Sequence, residues 1–127
     1  VFNHGKMVRD FTYIDDIVEG VIRVIDNPAK PDPDFSHDDP VPSSSDAPYR
    51  VYNIGNGRPV ELLKYIEVLE DALGIKADKD MLPMQAGDVK ATTADTSALE
   101  RDMGYRPETT VEEGLTRFAE WYRSYYQ

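Results

Sequence analysis

Two short β-type segments, each followed by an amphipathic helical repeat, constrain the fold of this chain more than any other feature. Residues 8–14 predict a strand because Phe11, Thr12 and Tyr13 favour extended backbone, and residues 49–54 form the second β-type run. Strands that alternate with helices indicate an α/β architecture. Two or three strands cannot build a doubly wound sheet, so the 127 residues are expected to form one part of a larger α/β protein.

The first two helices are predicted from apolar spacing and from end signals. The first follows the strand at residue 14, and Asp16 with Glu19 has the spacing of a capping box. The second has Pro59 at its expected first position and Gly74 as its expected C-terminal stop.

Two further helices are predicted in the last third of the chain. Asp95 is expected to cap a short helix that closes at Gly104, and Thr110 with Glu113 has the spacing of a second capping box. The last helix carries large apolar side chains at helical spacing, namely Val111, Leu115, Phe118, Tyr122 and Tyr125. Packing in a core or at an interface is predicted for its aromatic rings, in preference to stacking on nucleic-acid bases.

Residues 27–48 differ in composition from the rest of the chain. They contain six of the nine prolines, five aspartates and three consecutive serines. So few apolar side chains cannot drive packing, and a long, flexible surface loop is predicted. A tolerated insertion is favoured over a lid that closes over an active site.

Charge and residue usage exclude several classes of function. With 24 acidic and 14 basic residues the net charge is −10, which argues against general binding to nucleic acid or to anionic membranes. Cysteine is absent, which excludes disulfide scaffolds and thiolate metal sites. His4 and His37 have no metal-ligand spacing. The start at Val1 and the lack of a signal peptide predict a piece of a longer cytoplasmic protein.

Motifs for cofactor binding and for catalysis are missing from the sequence. Gly55 and Gly57 follow a β-type run, but residue 60 is valine, so the dinucleotide fingerprint G-x-G-x-x-G is not met. None of the eight tyrosines has a lysine four residues later. No catalytic residue, no cofactor ligand and no metal ligand is therefore predicted within the chain.

Arg9 is the first candidate for a binding residue. It lies on a predicted strand between apolar neighbours, where a guanidinium can hold a phosphate in bidentate fashion. The alternative is a buried pair with a nearby carboxylate, and local sequence alone favours that alternative. Asp10 is not the obvious partner because adjacent side chains on a strand point to opposite faces.

Gln85 and Asp88 are the second candidates, on either side of Gly87. A carboxylate at this position can accept hydrogen bonds from two ribose hydroxyls. The alternative is a tight turn in which Asp88 bonds its own backbone, and local sequence again favours the alternative.

Several segments in fixed order resemble the nucleotide-sugar enzymes of the extended short-chain dehydrogenase/reductase family. The first is Arg-Asp-Phe-Thr-Tyr-Ile-Asp-Asp at residues 9–16. The others are residues 52–55, 85–88, 94–96, 104–107 and 114–122. Residues 5–7 and 82–85 are most similar to the UDP-glucuronate 4-epimerase subgroup, although Ala86 stands where that subgroup usually has proline.

The resemblance implies a fold and a division of labour. The chain would be the C-terminal substrate-binding domain of an extended Rossmann-type epimerase, with few short strands and about four helices. NAD would be bound by an N-terminal domain outside this chain, where the sugar is oxidised at C4, rotates and is reduced again. Arg9 would hold the diphosphate of a UDP-sugar, and Gln85 and Asp88 would hold the nucleoside or diphosphate end.

The resemblance also implies a homodimer for the intact enzyme, and the isolated chain is expected to self-associate. Two alternatives remain open at this stage. The chain could belong to another epimerase, dehydratase or decarboxylase of the same superfamily, or it could be a binding module without catalysis.

Overall fold

The computed structural model describes residues 1–126, which contain four α-helices and one two-stranded sheet. The helices are α1 (Ile14–Asp26), α2 (Leu62–Leu73), α3 (Ser97–Met103) and α4 (Val111–Tyr126). The strands are β1 (Val8–Arg9) and β2 (Val60–Glu61), and a short 3-10 helix spans Phe2–Gly5. This combination of few strands and four helices is the α/β arrangement that the sequence predicts.

The first strand is much shorter than predicted. β1 pairs antiparallel with β2, so that Arg9 lies opposite Val60. The chain is still extended at Tyr13, with φ −73° and ψ 146°, but residues 10–13 form no ladder. The prediction of a strand over residues 8–14 is therefore wrong in length, because extended backbone becomes a strand only beside a hydrogen-bonding neighbour. Pro59 precedes β2 and is not the first residue of a helix.

The second predicted strand, residues 49–54, does not form. Its one ladder contact is an isolated antiparallel bridge between Arg50 and Ser44. Tyr49 and Val51 remain about half exposed. No neighbouring strand lies beside residues 51–54 within the part of the chain that the structure describes, which is the physical reason for the error.

Most of the predicted helix ends are confirmed. Gly74 and Gly104 close α2 and α3 in the left-handed conformation, at φ 69° and 59°. Asp95 accepts a hydrogen bond at 3.0 Å from the first backbone amide of α3. Thr110 Oγ1 accepts from the amide of Glu113 at 3.2 Å, as in the first half of a capping box.

Asp16 does not cap α1, contrary to the prediction. Its two carboxylate oxygens accept hydrogen bonds from the backbone amide and the hydroxyl of Thr109, each at 3.0 Å. Tyr105 donates to the backbone carbonyl of Asp16 at 2.9 Å. These bonds tie the start of α1 to the segment that precedes α4.

The core is small and lies where the helices meet in pairs. α2 packs on α4, and α1 packs on α3. The most deeply buried apolar residues are Met7, Leu99, Pro107, Leu115 and Ala119. Phe11 stacks on Tyr65 of α2 with ring centroids 3.9 Å apart, which joins the segment after β1 to this core.

Two helix faces are not covered. On α1 the exposed residues are Ile14, Val18, Val21, Ile22 and Ile25. On α4 they are Phe118, Trp121, Tyr122, Tyr125 and Tyr126. Core packing is therefore wrong for the aromatic rings of α4, while packing at an interface stays a prediction. No helix among residues 1–126 combines the length and the apolar character that a membrane crossing requires.

Residues 27–48 contain no helix and no strand. The polar contacts described for them run within the loop, to Arg23 at the end of α1, or to Arg50 and Val51, with Asp32 facing Arg50 at 3.7 Å. The loop leaves α1 at the end opposite β1, and α1 is about 20 Å long at 1.5 Å per residue. This position gives no support to a lid over Arg9, and the predicted flexibility stays a prediction.

Candidate functional site

Arg9 is held in one place by four hydrogen bonds. Nη2 lies 3.0 Å from Asp88 Oδ1 and 2.8 Å from the carbonyl oxygen of Val89. Nη1 donates to the carbonyl oxygens of Val8 at 2.9 Å and of Lys90 at 3.3 Å. Two of the three predicted binding residues, 79 positions apart in the chain, therefore meet directly.

The sheet explains why these residues meet. One edge of β1 pairs with β2, and residues 90–92 run along its other edge. The amide of Val8 donates to Lys90 O at 2.9 Å, and the amide of Thr92 donates to Val8 O at 3.2 Å. The loop that carries Gln85 and Asp88 thus reaches the side chain of Arg9.

A turn centred on Gly87 presents the predicted residues to solvent. Gly87 has φ +84°, a conformation that glycine adopts without strain, and Asp88 N donates to Gln85 O at 3.3 Å. Asp88 Oδ1 also accepts from the amide of Val89 at 2.8 Å. Gln85 is exposed, and its side chain makes no hydrogen bond to another described residue. The structure thus brings Arg9 and Asp88 into contact and leaves Gln85 beside them with a free amide.

The contacts of both local alternatives are present, although the pair of Arg9 and Asp88 is not buried as the first alternative predicts. Asp88 is the carboxylate partner of Arg9, and it also bonds its own turn. The side chains of Arg9 and Asp88 are 24% and 34% exposed, so a ligand can reach the pair from solvent.

Asp10 has a role that the sequence did not reveal. Its Oδ2 accepts hydrogen bonds at 3.0 Å from the amides of Gly57 and Ala94, and Oδ1 is buried with no partner among residues 1–126. A Cβ added to Gly55 would lie 2.4 Å from Ala94 Cβ and 3.1 Å from Asp10 Oδ2. Gly55 thus serves close packing around Asp10. One indication of this role was available in the sequence, since the carboxylate of Asp10 was predicted to face away from Arg9.

A polar cavity of about 410 Å³ lies at the start of the loop, and Arg50 in its lining pairs with both lining aspartates, Asp32 and Asp102. Asp102 lies 3.2 Å from Arg50 Nη2 and 2.7 Å from Arg101 Nε, and it accepts from the hydroxyl of Tyr52 at 3.1 Å. The bond from Arg101 is the main reason that the pKa of Asp102 lies below its ordinary value, while burial raises the pKa of Tyr52. This cluster is best explained as a structural junction.

An apolar cavity of about 210 Å³ lies between α1, α2 and α4, beside the Phe11–Tyr65 stack. Tyr13, Val111 and Phe118 complete much of its wall. The lining has no charged side chain, so it offers no strong donor for a phosphate. Arg9 with its neighbouring turn is therefore the better candidate for a phosphate-bearing ligand.

Comparisons with known proteins cover this chain almost completely. It is 49% identical over 127 residues to the protein CapI of Staphylococcus aureus, and it spans 38% of the length of that protein. It is 43% identical over 128 aligned residues to a probable UDP-glucuronate 4-epimerase of Rhizobium meliloti, again over 38% of that relative. No protein-family model matches the sequence.

Solved structures share the fold. A UDP-glucuronic acid 4-epimerase of Bacillus cereus, in complex with a fluorinated UDP-glucuronic acid and NAD, superposes with a TM-score of 0.75 at 28% identity. The match covers 99% of this chain and 35% of that enzyme. The four helices and the two-stranded sheet correspond to the C-terminal part of such Rossmann-type epimerases, as the sequence predicts.

Proposed function

We propose that this chain anchors the UDP-sugar of a UDP-glucuronate 4-epimerase, because it is similar in sequence and fold to such enzymes and spans just over a third of the length of these relatives. The observation that carries the proposal is the meeting of Arg9 and Asp88 at 3.0 Å on an accessible surface. Arg9 suits the diphosphate because its side chain is positively charged. Asp88 suits the ribose because its carboxylate accepts hydrogen bonds from hydroxyl groups.

Each residue of the site has a separate task in this proposal. Arg9 neutralises charge on the diphosphate, and Asp88 accepts hydrogen bonds from ribose hydroxyls. Gln85, exposed at the same turn with a free side-chain amide, adds a neutral donor and acceptor beside them. Holding the nucleotide at this end leaves the hexose free to turn, which an epimerase requires if the sugar must present both faces to one redox centre.

NAD is the cofactor in the proposed enzyme, and the residues of this chain do not fit it. The glycines that come nearest to a dinucleotide fingerprint, Gly55 and Gly57, are committed to packing and hydrogen bonding around Asp10. NAD would therefore be held by another part of the protein, and it would supply the redox chemistry there. This chain contributes binding and orientation.

The uncovered apolar face of α1 supports docking of that other part. The whole chain exposes 8741 Å², whereas a compact monomer of 14.4 kDa exposes about 6,800 Å². The excess of roughly 1,900 Å² also includes the exposed loop at residues 27–48 and the aromatic face of α4, and a stable interface needs about 800 Å² from each partner. Residues 51–54, which lack a neighbouring strand, offer an edge that a sheet in the same part can extend.

The proposed activity is tested by expressing the chain together with its N-terminal remainder and supplying UDP-glucuronate. We expect UDP-galacturonate to form without net consumption of NAD, and chromatography of the two sugar nucleotides measures it. The 127-residue chain alone is expected to show no turnover. Conversion of UDP-glucose in preference to UDP-glucuronate by the intact protein would contradict the assigned sugar and leave the anchoring role intact.

A further inference from the structure

The guanidinium of Arg9 is already occupied by the protein itself. Nη1 and Nη2 carry two hydrogens each, and each nitrogen has two acceptors. Nε has no acceptor among residues 1–126. An incoming phosphate therefore finds one free N–H on Arg9, which is too few for a bidentate contact.

Asp88 is only partly occupied. Its Oδ1 accepts from both Arg9 and the amide of Val89, whereas Oδ2 has no partner among the described residues. The carboxylate thus lies on Arg9 as a phosphate oxygen would, with the same charge sign and at a charge-assisted hydrogen-bond distance.

We propose that Asp88 is an internal substitute for phosphate, and that the Arg9–Asp88 ion pair must open when a nucleoside diphosphate binds. The proposal rests on the anchoring function above and adds an exchange of partners to it. Arg9 passes from Asp88 to the diphosphate, and Asp88 passes from Arg9 to the ribose hydroxyls. A nucleoside diphosphate supplies both new partners, whereas free pyrophosphate supplies a partner for Arg9 alone.

The local structure allows this exchange without disturbing the fold. Backbone bonds at Val8, Lys90 and Thr92 fix the following segment to β1, and Arg9 adds bonds to the carbonyls of Val89 and Lys90; none of them involves the side chain of Asp88. The turn at residues 85–88 lies in solvent, and no atom outside residues 86–88 lies within 4 Å of the position that a Cβ on Gly87 would occupy. Only the turn at residues 85–88 has to shift.

The ion pair therefore selects for complete nucleotides. A partly exposed ion pair changes an equilibrium constant by up to about fivefold. Pyrophosphate must break the Arg9–Asp88 pair and gains no ribose contact in return. Weakening the pair should raise the affinity for pyrophosphate by roughly two- to fivefold and should lower the affinity for UDP.

The test is calorimetric titration of the intact protein with inorganic pyrophosphate and with UDP, in the wild type and in Asp88→Asn. Asp88→Ala repeats the measurement without the side-chain amide. Asp78→Asn removes one negative charge from an exposed aspartate whose side chain has no described hydrogen bond, and it controls for the change in net charge. Arg9→Ala reports on the anchoring function itself.

We expect Asp88→Asn to bind pyrophosphate more tightly and UDP more weakly than the wild type does. Asp78→Asn should change neither affinity by much. If pyrophosphate binding is unchanged or weaker in both Asp88 variants while Arg9→Ala loses UDP, the exchange is wrong and the anchoring function stands. If Arg9→Ala binds UDP as the wild type does, the anchoring function is wrong and the exchange falls with it.

Discussion

At the scale of single residues, neighbours in the chain have different partners at this site. Arg9 faces the turn at residues 85–88, while Asp10 binds the amides of Gly57 and Ala94 behind it. The alternation of side chains along extended backbone explains why two adjacent charged residues do not pair with each other. Arg9 has the proposed binding role, and Asp10 fixes the backbone around it.

Removing the carboxylate of Asp10 should destabilise the chain. Asp10→Ala leaves two partly buried amides without an acceptor, and each such loss costs about 1–3 kcal/mol. Asp10→Asn keeps one oxygen for both amides and should lose less. Urea unfolding monitored by circular dichroism measures the difference, with Asp78→Ala as the control. Equal stability of Asp10→Ala and Asp78→Ala would contradict the role given to Asp10.

Glu70 should make stability depend on acid pH. A hydrogen bond from Lys79, followed by the amide of Ala77, lowers the pKa of Glu70 from 4.5 to about 2. A folded-state pKa below the unfolded value stabilises the fold above about pH 4.5 and loses that contribution as the pH falls from 4.5 towards 2.

Glu70→Gln should therefore lower the urea midpoint at neutral pH and flatten its dependence on pH below about 4.5. Glu67→Gln, on the exposed side of the same helix, is the matched control. A Glu70→Gln profile parallel to the wild type over this interval would show that the ion pairs of Glu70 do not contribute to stability.

At the scale of elements, helices could be predicted from the sequence more accurately than strands, since β1 lies within a predicted strand but is much shorter. The ends of α2 and α3 depend on local signals such as Gly74 and Gly104, which act within one turn of the helix. A strand instead depends on a neighbour, and residues 51–54 have none within residues 1–126. The candidate site shows the same limit, because residue types suggested Arg9 and Asp88 but not their contact across 79 positions.

The apolar face of α1 should cause self-association when the chain is isolated. Val18 and Ile22 are each 47% exposed and belong to a continuous apolar stripe. Surfaces of this kind associate with one another unless a partner covers them. We expect concentration-dependent dimers or larger species in light scattering, and Ile22→Lys should shift them towards monomer.

Ile75→Lys is the control for that experiment, since Ile75 is 66% exposed but lies outside the stripe. A wild-type chain that stays monomeric at high concentration would contradict the assignment of α1 as a docking face. An equal effect of both lysine variants would mean that association is not specific to α1.

At the scale of the whole molecule, the chain has an open shape for its size. Its core is limited to a few residues around Leu99 and Leu115, and two helix faces remain uncovered. We propose an explanation for this open shape. The relatives are more than twice as long as this chain, and solved structures have the same fold in their C-terminal part. The rest of such a protein would cover α1, extend the edge at residues 51–54 and bring a cofactor to a sugar bound at the proposed site.

The most direct test of the account is the affinity of the intact protein for UDP after Arg9→Ala. Loss of a charge-assisted contact should weaken binding by about 1.5–3 kcal/mol, or roughly 10- to 150-fold. Arg123→Ala, which removes an arginine from the exposed end of α4, controls for net charge. We predict a large loss in Arg9→Ala alone, and equal affinity of both variants would contradict the proposal that this chain anchors the nucleotide.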